Sequence, residues 1–303
     1  MSIARFIRFV LHLSMGLALA GCAAQTACQP KPIALLTISF RHGEPVFPAR
    51  IDGKPATMLF DTGAVLSSIS PAGVKQFGLP VIFDRHLTLH GVGGSARNAL
   101  VQVQSLTFGG AVAGGLRMPI VRAPVAHRRG QNAVSGAIGN DILAHYAVDI
   151  DFPEHQVFLL KTHYCSIIKP WSGRAVMVHF SLADNNAIEF PMLIDGHRVT
   201  AMLDTGSTHT VLSPSTFAHV SDNGLDAKHL GTHFGHGIGA HAVRVNAYRL
   251  DTFNIGGVRL NHPVVAVLPH AVFPFGIVIL GEDFIRRHEL FIDHQTDTLY
   301  IHP

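Results

Sequence analysis

The chain has 303 residues, 48% of them hydrophobic and 14% charged, with a formal net charge of +3. Frequent glycine, and Val, Ile and Thr crowded into short segments between Gly, Pro, Asn and Asp, support a globular, β-rich protein. The near balance of 23 Lys and Arg against 20 Asp and Glu gives no case for nucleic-acid binding.

Residues 1–21 read as an export signal. Arg5 and Arg8 give a positive start, and Phe9 to Ala20 is mostly apolar but too short for a membrane span. The run ends in Leu19-Ala20-Gly21-Cys22, which resembles a bacterial lipobox, where the cysteine is lipid-modified and becomes the new N-terminus. Ala23, in place of Asp, then implies the outer membrane. The expectation is an envelope lipoprotein facing the periplasm, attached to the membrane only through Cys22, with residues 22–32 as a stalk. A plain signal peptide cut nearby is the alternative. Removing the two arginines of this segment from the 23 basic side chains leaves 21 against 20 acidic ones, a net charge of +1. Cys28 and Cys165 either form a bridge tying the stalk to the middle of the chain or stay reduced.

Residues 33–161 form a first lobe in this reading. The Asp52-Gly53 turn leads into a buried strand, Ala56 to Phe60. Ser70-Pro71 supplies a capping serine and a proline at a first helical position. Gly91-Val92-Gly93-Gly94 marks a mobile hairpin tip or an ordinary turn, and Ala126 to Asn132 a solvated loop. Asn140 to Tyr146 has the length of a two-turn helix. A hairpin follows, Asp149 to Phe152 with Gln156 to Leu160, where Asp151 starts a tight turn. Strand-like patterning then stops over 162–174, read as a linker, and resumes at Ala175.

The second lobe, 175–303, repeats this order. Phe47 to Gly53 is answered by Phe190 to Gly196, and Asp61-Thr62-Gly63 by Asp204-Thr205-Gly206, both pairs 143 positions apart. Gly237-Ile238-Gly239 answers the first glycine-rich tip, and Leu280-Gly281-Glu282-Asp283 answers Ile138-Gly139-Asn140-Asp141. Ser213-Pro214 and Ile292-Asp293 complete the series. One Asp-Thr-Gly is weak evidence. Two, with matching landmarks in one order, are two copies of a unit. The architecture expected is mostly β and bilobal, with one core of about 130 residues per lobe.

The segments Leu59-Phe60-Asp61-Thr62-Gly63-Ala64 with Ala137-Ile138-Gly139, and Met202-Leu203-Asp204-Thr205-Gly206-Ser207 with Ile279-Leu280-Gly281, carry a resemblance to aspartic proteases of the pepsin/retropepsin superfamily. It covers most of both lobes. The chain is similar to pepsins in fusing two lobes, and each lobe resembles the smaller retropepsin unit. The resemblance implies an aspartic endopeptidase acting as a monomer, whose substrate would be an extended polypeptide held in the interlobe cleft. It implies that Asp61 and Asp204 form the catalytic pair, and that Thr62 and Thr205 exchange hydrogen bonds across the lobe interface. It implies flaps at Gly91, Val92, Gly93 and Gly94 and at Gly237, Ile238 and Gly239. The flap tyrosine of pepsins has no match near Gly91, and three cysteines cannot form the pepsin disulfides.

The residue types suit the reaction. One ionised carboxylate takes a proton from water while a protonated one donates to the scissile carbonyl. Two adjacent carboxyls resist joint ionisation, so the pair holds one proton over a broad acidic range and titrates as a unit. Gly63 and Gly206 are expected to permit close backbone approach and unusual dihedrals. Ser207 is expected to donate to Asp204, which Ala64 cannot do for Asp61. No cofactor is needed. His233, His236 and His241 match no strong zinc spacing, so no metal is assigned. No Gly-x-Ser-x-Gly elbow supports a serine hydrolase. The rival expectation is a noncatalytic peptide- or protein-binding envelope lipoprotein that keeps the fold.

Overall fold

Each lobe is organised by a tight hairpin whose turn has positive φ at both central residues, the geometry that matches strand twist. In the first, Asp52 (φ 48) and Gly53 (φ 76) join strands Glu44–Ile51 and Lys54–Phe60. In the second, Asp195 (φ 47) and Gly196 (φ 83) join Ile188–Ile194 and His197–Leu203. These features belong to a computed structural model that describes residues 31–122, 133–161, 175–183, 186–222, 227–235, 237, 242–270, 272–274 and 276–302. Cys22, Cys28, Cys165, Ile238, Gly239, His236 and His241, with the signal segment, the 126–132 loop and the 162–174 linker, lie outside the described residues.

The fold is bilobal and mostly β. Gly136–Ile138 lies parallel to Lys54–Phe60, with Phe60 opposite Ile138, and Ser68–Ile69 pairs antiparallel on its other side. The second lobe repeats this. Ile277–Leu280 lies parallel to His197–Leu203, with Leu203 opposite Leu280, and Thr210–Leu212 pairs antiparallel with it. The aspartates follow directly on Phe60 and Leu203, so each apolar strand end delivers a carboxylate to the same place in its lobe.

A six-stranded sheet joins the lobes. Its order is Lys31–Thr37, Gln156–Lys161, Ala147–Asp151, Glu289–Asp293, Thr298–His302 and Val176–His179, three strands from each half. At its centre Val148 pairs with Ile292 and Ile150 with Leu290, in antiparallel register. Lys31 and Pro32, assigned to a stalk from sequence, belong to the first of these strands. The expected separate cores are joined as well. One cluster includes Phe47, Met58 and Phe60 of the first lobe, Phe190 and Leu203 of the second, and Ile150 and Ile292 between them. Strands of the shared sheet bury apolar side chains against both lobes, which makes the core continuous.

The helices are short. Ser70 and Ser213 cap Pro71–Phe77 and Pro214–Val220, each accepting a backbone N–H three residues on. The two-turn helix expected over Asn140 to Tyr146 is a single turn, Asn140–Leu143, and its counterpart in the second lobe is another, Glu282–Ile285. Tyr146 N–H donates to Leu143 O and His288 N–H to Ile285 O, so each tightens into an i to i−3 turn. The chain must leave the helix there to enter the shared sheet at Ala147 and Glu289.

Candidate active site

Asp61 and Asp204 meet at the lobe interface, their carboxyl groups close enough to share a hydrogen bond. Asp61 Oδ1 accepts from the N–H groups of Gly63 (3.0 Å) and Ala64 (2.9 Å). Asp204 Oδ1 accepts from Gly206 N–H at 2.8 Å. Burial first, then the Asp204 charge, hold the Asp61 pKa well above the ordinary carboxylate range. Burial also raises Asp204, against the backbone N–H groups of Gly206 and Ser207, which favour its ionised form.

The threonines beneath them interlock. Thr62 N–H donates to Thr205 Oγ1 (3.0 Å), and Thr205 N–H donates to Thr62 Oγ1 (3.1 Å). Each hydroxyl then donates to a backbone carbonyl of the opposite lobe, Thr62 to Leu203 O (3.0 Å) and Thr205 to Phe60 O (2.8 Å). Both side chains are buried, so these four bonds form out of water, where an unmade bond is costly.

A second layer supports each loop. Gly139 and Gly281 pass so close that a Cβ would lie 2.7 Å from Ala64 O and from Ser207 O respectively. Asn140 N–H donates to Ala64 O (2.9 Å) and Glu282 N–H to Ser207 O (2.8 Å). Asp141 accepts from the N–H and hydroxyl of Ser67 at 2.7 and 2.6 Å, and Asp283 accepts the same two groups of Thr210 at 3.0 and 2.7 Å. A family model for aspartyl proteases matches the chain twice, over residues 47–142 and 190–284. The chain belongs to the aspartyl protease family. No curated protein matches it.

The two matched stretches of this aspartyl protease run from the first hairpin strand to the single-turn helix in each lobe. They enclose the long hairpin of each lobe. The first, Val81–Gly91 with Gly94–Phe108, carries Gly91, Val92, Gly93 and Gly94 at its tip. The second pairs Lys228–Gly235 with Val243–Arg249, and Gly237 lies just beyond its first strand. The tips touch, because a Cβ on Gly237 would lie 3.0 Å from Val92 Cβ. Val92 also packs against a second-lobe cluster of Val211, Val243, Leu268 and Ile279.

Two expectations need correction. Ser207 Oγ donates to His209 O at 2.8 Å and not to Asp204, because the loop turns its side chain away from the carboxyl. Gly63 and Gly206 do not have positive φ, so their role is room rather than unusual dihedrals. Sequence reasoning missed Asn140, whose Nδ2 donates to Thr62 O (2.7 Å) and Asn186 O (3.0 Å). It also missed Glu282 at the matching position, buried with neither carboxyl oxygen hydrogen-bonded. The signal for both was the repeat itself, which aligns Asn140 with Glu282. Among the described residues no group of three or more His, Cys, Asp or Glu side chains is placed to hold a metal ion.

Proposed function

We propose that this chain is an aspartic endopeptidase whose catalytic pair is Asp61 and Asp204, one from each lobe. The observation that carries the reading is the contact between two buried carboxyl groups whose raised pKa values favour a shared proton. The singly ionised pair takes a proton from water as the water oxygen attacks the scissile carbonyl, and gives its own proton to the carbonyl oxygen. Proton transfer to the amide nitrogen then lets the C–N bond break, and the pair returns to its starting state. The Thr62–Thr205 interlock holds the two loops in register for this. The hairpin tips at Val92 and Gly237 act as flaps that lie over an extended polypeptide and exclude water.

The chain acts as a monomer, and Cys22 anchors it by lipid to the outer membrane facing the periplasm. This part of the proposal is supported by the Leu19-Ala20-Gly21-Cys22 segment. Metabolic labelling with a radioactive fatty acid tests it: label should enter the wild-type protein and be lost in Cys22→Ala.

The test of the chemistry is incubation of the purified mature chain with a peptide library across pH 3–9, beside Asp61→Asn and Asp204→Asn. Cleavage by wild type and loss of at least about 10³-fold in each folded variant is the expected result. Unchanged turnover in either variant overturns the mechanism. Peptides retained by wild type without cleavage at any pH would make the chain a binding protein on this fold.

A further inference from the structure

The repeat places Ala187, a buried residue, where the first lobe has Glu44. At this position an acidic group therefore stands on only one side of the pseudo-twofold axis. Glu44 follows the two-residue turn His42-Gly43, whose φ values of 54 and 90 make the turn tight. The turn reaches the other lobe, since a Cβ on Gly43 would lie 3.1 Å from Thr208 Cγ2. Thr208 sits four residues past Asp204 on the same loop. This places the start of the Glu44 strand beside the second carboxylate of the pair, across the interface from its own lobe's aspartate.

The Glu44 side chain is half-buried, and its Oε2 is shut off from solvent with no hydrogen-bond partner. Burial, then the Asp204 charge, push its pKa up to about 7. A carboxyl in that position is poorly satisfied by the protein alone. A cation with N–H donors can meet the half-buried carboxyl through its other oxygen, which is not sealed in this way, and offset the charge that burial penalises.

We propose that Glu44 is a specificity-determining residue that receives the side chain of a lysine or arginine in the bound polypeptide, close to the scissile bond. This rests on the reading of the interlobe cleft as a peptide-binding site. Ala187 offers no equivalent group, so the preference is for one basic residue on one side of the bond, and the substrate enters in one direction. Cation binding at Glu44 requires neither an oxidant nor a cofactor.

The experiment uses peptides that carry Lys, Arg, norleucine or Glu at each position around the cleaved bond. In wild type, the ratio of kcat/KM for Lys over norleucine at one position should be roughly tenfold or more, falling close to one in Glu44→Gln. Glu44→Lys should turn the preference at that position towards Glu, which keeps the test open if one variant folds poorly. The absence of a basic preference in wild type, or the same preference in Glu44→Gln, overturns the proposal. The same peptides are then titrated onto Asp61→Asn by fluorescence anisotropy. Wild type that cleaves nothing, with Lys peptides held by Asp61→Asn and released by adding Glu44→Gln, would uphold Glu44 and overturn the hydrolytic reading. Peptides held equally whatever their charge would overturn Glu44.

Discussion

Gly63 stands against the carboxyl group of Asp204, in the opposite lobe, so closely that a Cβ on Gly63 would overlap it. The relationship is reciprocal, because a Cβ on Gly206 would lie 2.6 Å from Asp61 Cγ. Each glycine thus makes room for the partner lobe's carboxylate while its own N–H holds the carboxylate of its own lobe. Gly63→Ala and Gly206→Ala should each push the facing carboxyl out of line. A displacement of about 1 Å costs roughly 10²-fold in rate, so kcat/KM should fall at least that far. Measured rates within about twofold of wild type would show that the space is not needed.

Thr205→Val keeps the side-chain shape and removes a hydroxyl that accepts from Thr62 N–H and donates to Phe60 O. Two buried backbone groups lose their partner, at roughly 1–3 kcal/mol each in the worst case, so a loss of about 2–4 kcal/mol is expected. Urea denaturation measures it. The Thr62→Val variant should behave alike, because the bonds of Thr62 Oγ1 are the mirror image.

The pH profile of activity should sit higher than the sequence alone implied. Asp204 is raised to about 6 and Asp61 well above the ordinary range. Below the first ionisation both carboxyls are protonated and no base remains, so kcat/KM should fall as pH drops through about 6. Above the second ionisation no acid remains and activity falls again. An acid limb near the ordinary aspartate value would show that burial does not control the pair.

Glu282 gives a test of stability. Burial dominates over the opposing pull of Arg286 and raises its pKa from 4.5 to about 9. The folded state therefore binds a proton that the unfolded state releases between these values. Its contribution is fully favourable below pH 4.5 and is lost progressively as pH rises towards 9. Glu282→Gln removes that loss. The variant should match wild type at pH 4 and exceed it at pH 7 by on the order of 2 kcal/mol, read from denaturant midpoints. Parallel stability curves for the two proteins would refute the idea.

The two aspartates that meet at the lobe interface were legible because their surroundings recur at one spacing, Asp61 with Asp204 and Thr62 with Thr205. The hairpins were legible from Asp52-Gly53 and Gly196-His197, since the positive φ that the turns adopt at Gly53 and Gly196 favours glycine. What sequence could not give was contact through backbone atoms. Asn140 acts on the carbonyls of Thr62 and Asn186, and a carbonyl has no residue signature. The turn of Ser207 Oγ towards His209 O likewise depends on loop shape. The helices at Asn140 and Glu282 looked longer because neither Ala144-His145-Tyr146 nor Arg286-Arg287-His288 contains a helix breaker, while the shared sheet claims the chain from Ala147 and Glu289. Glu44 belongs to no motif, and only the fold brings it next to the second lobe's loop.

The central strands Ala147–Asp151 and Glu289–Asp293 pair as two identical subunits would across a dyad, yet both belong to one polypeptide. In a true homodimer every amino-acid change appears on both sides of the axis, so a group useful at one end of the cleft is imposed on the other. Here a codon change is felt once. Glu44 opposite Ala187, and Asn140 opposite Glu282, are departures that such a dimer could not make separately. Covalent continuity thereby frees the two halves to diverge, so that a carboxyl can stand on one side of the axis where the other side carries only a methyl group.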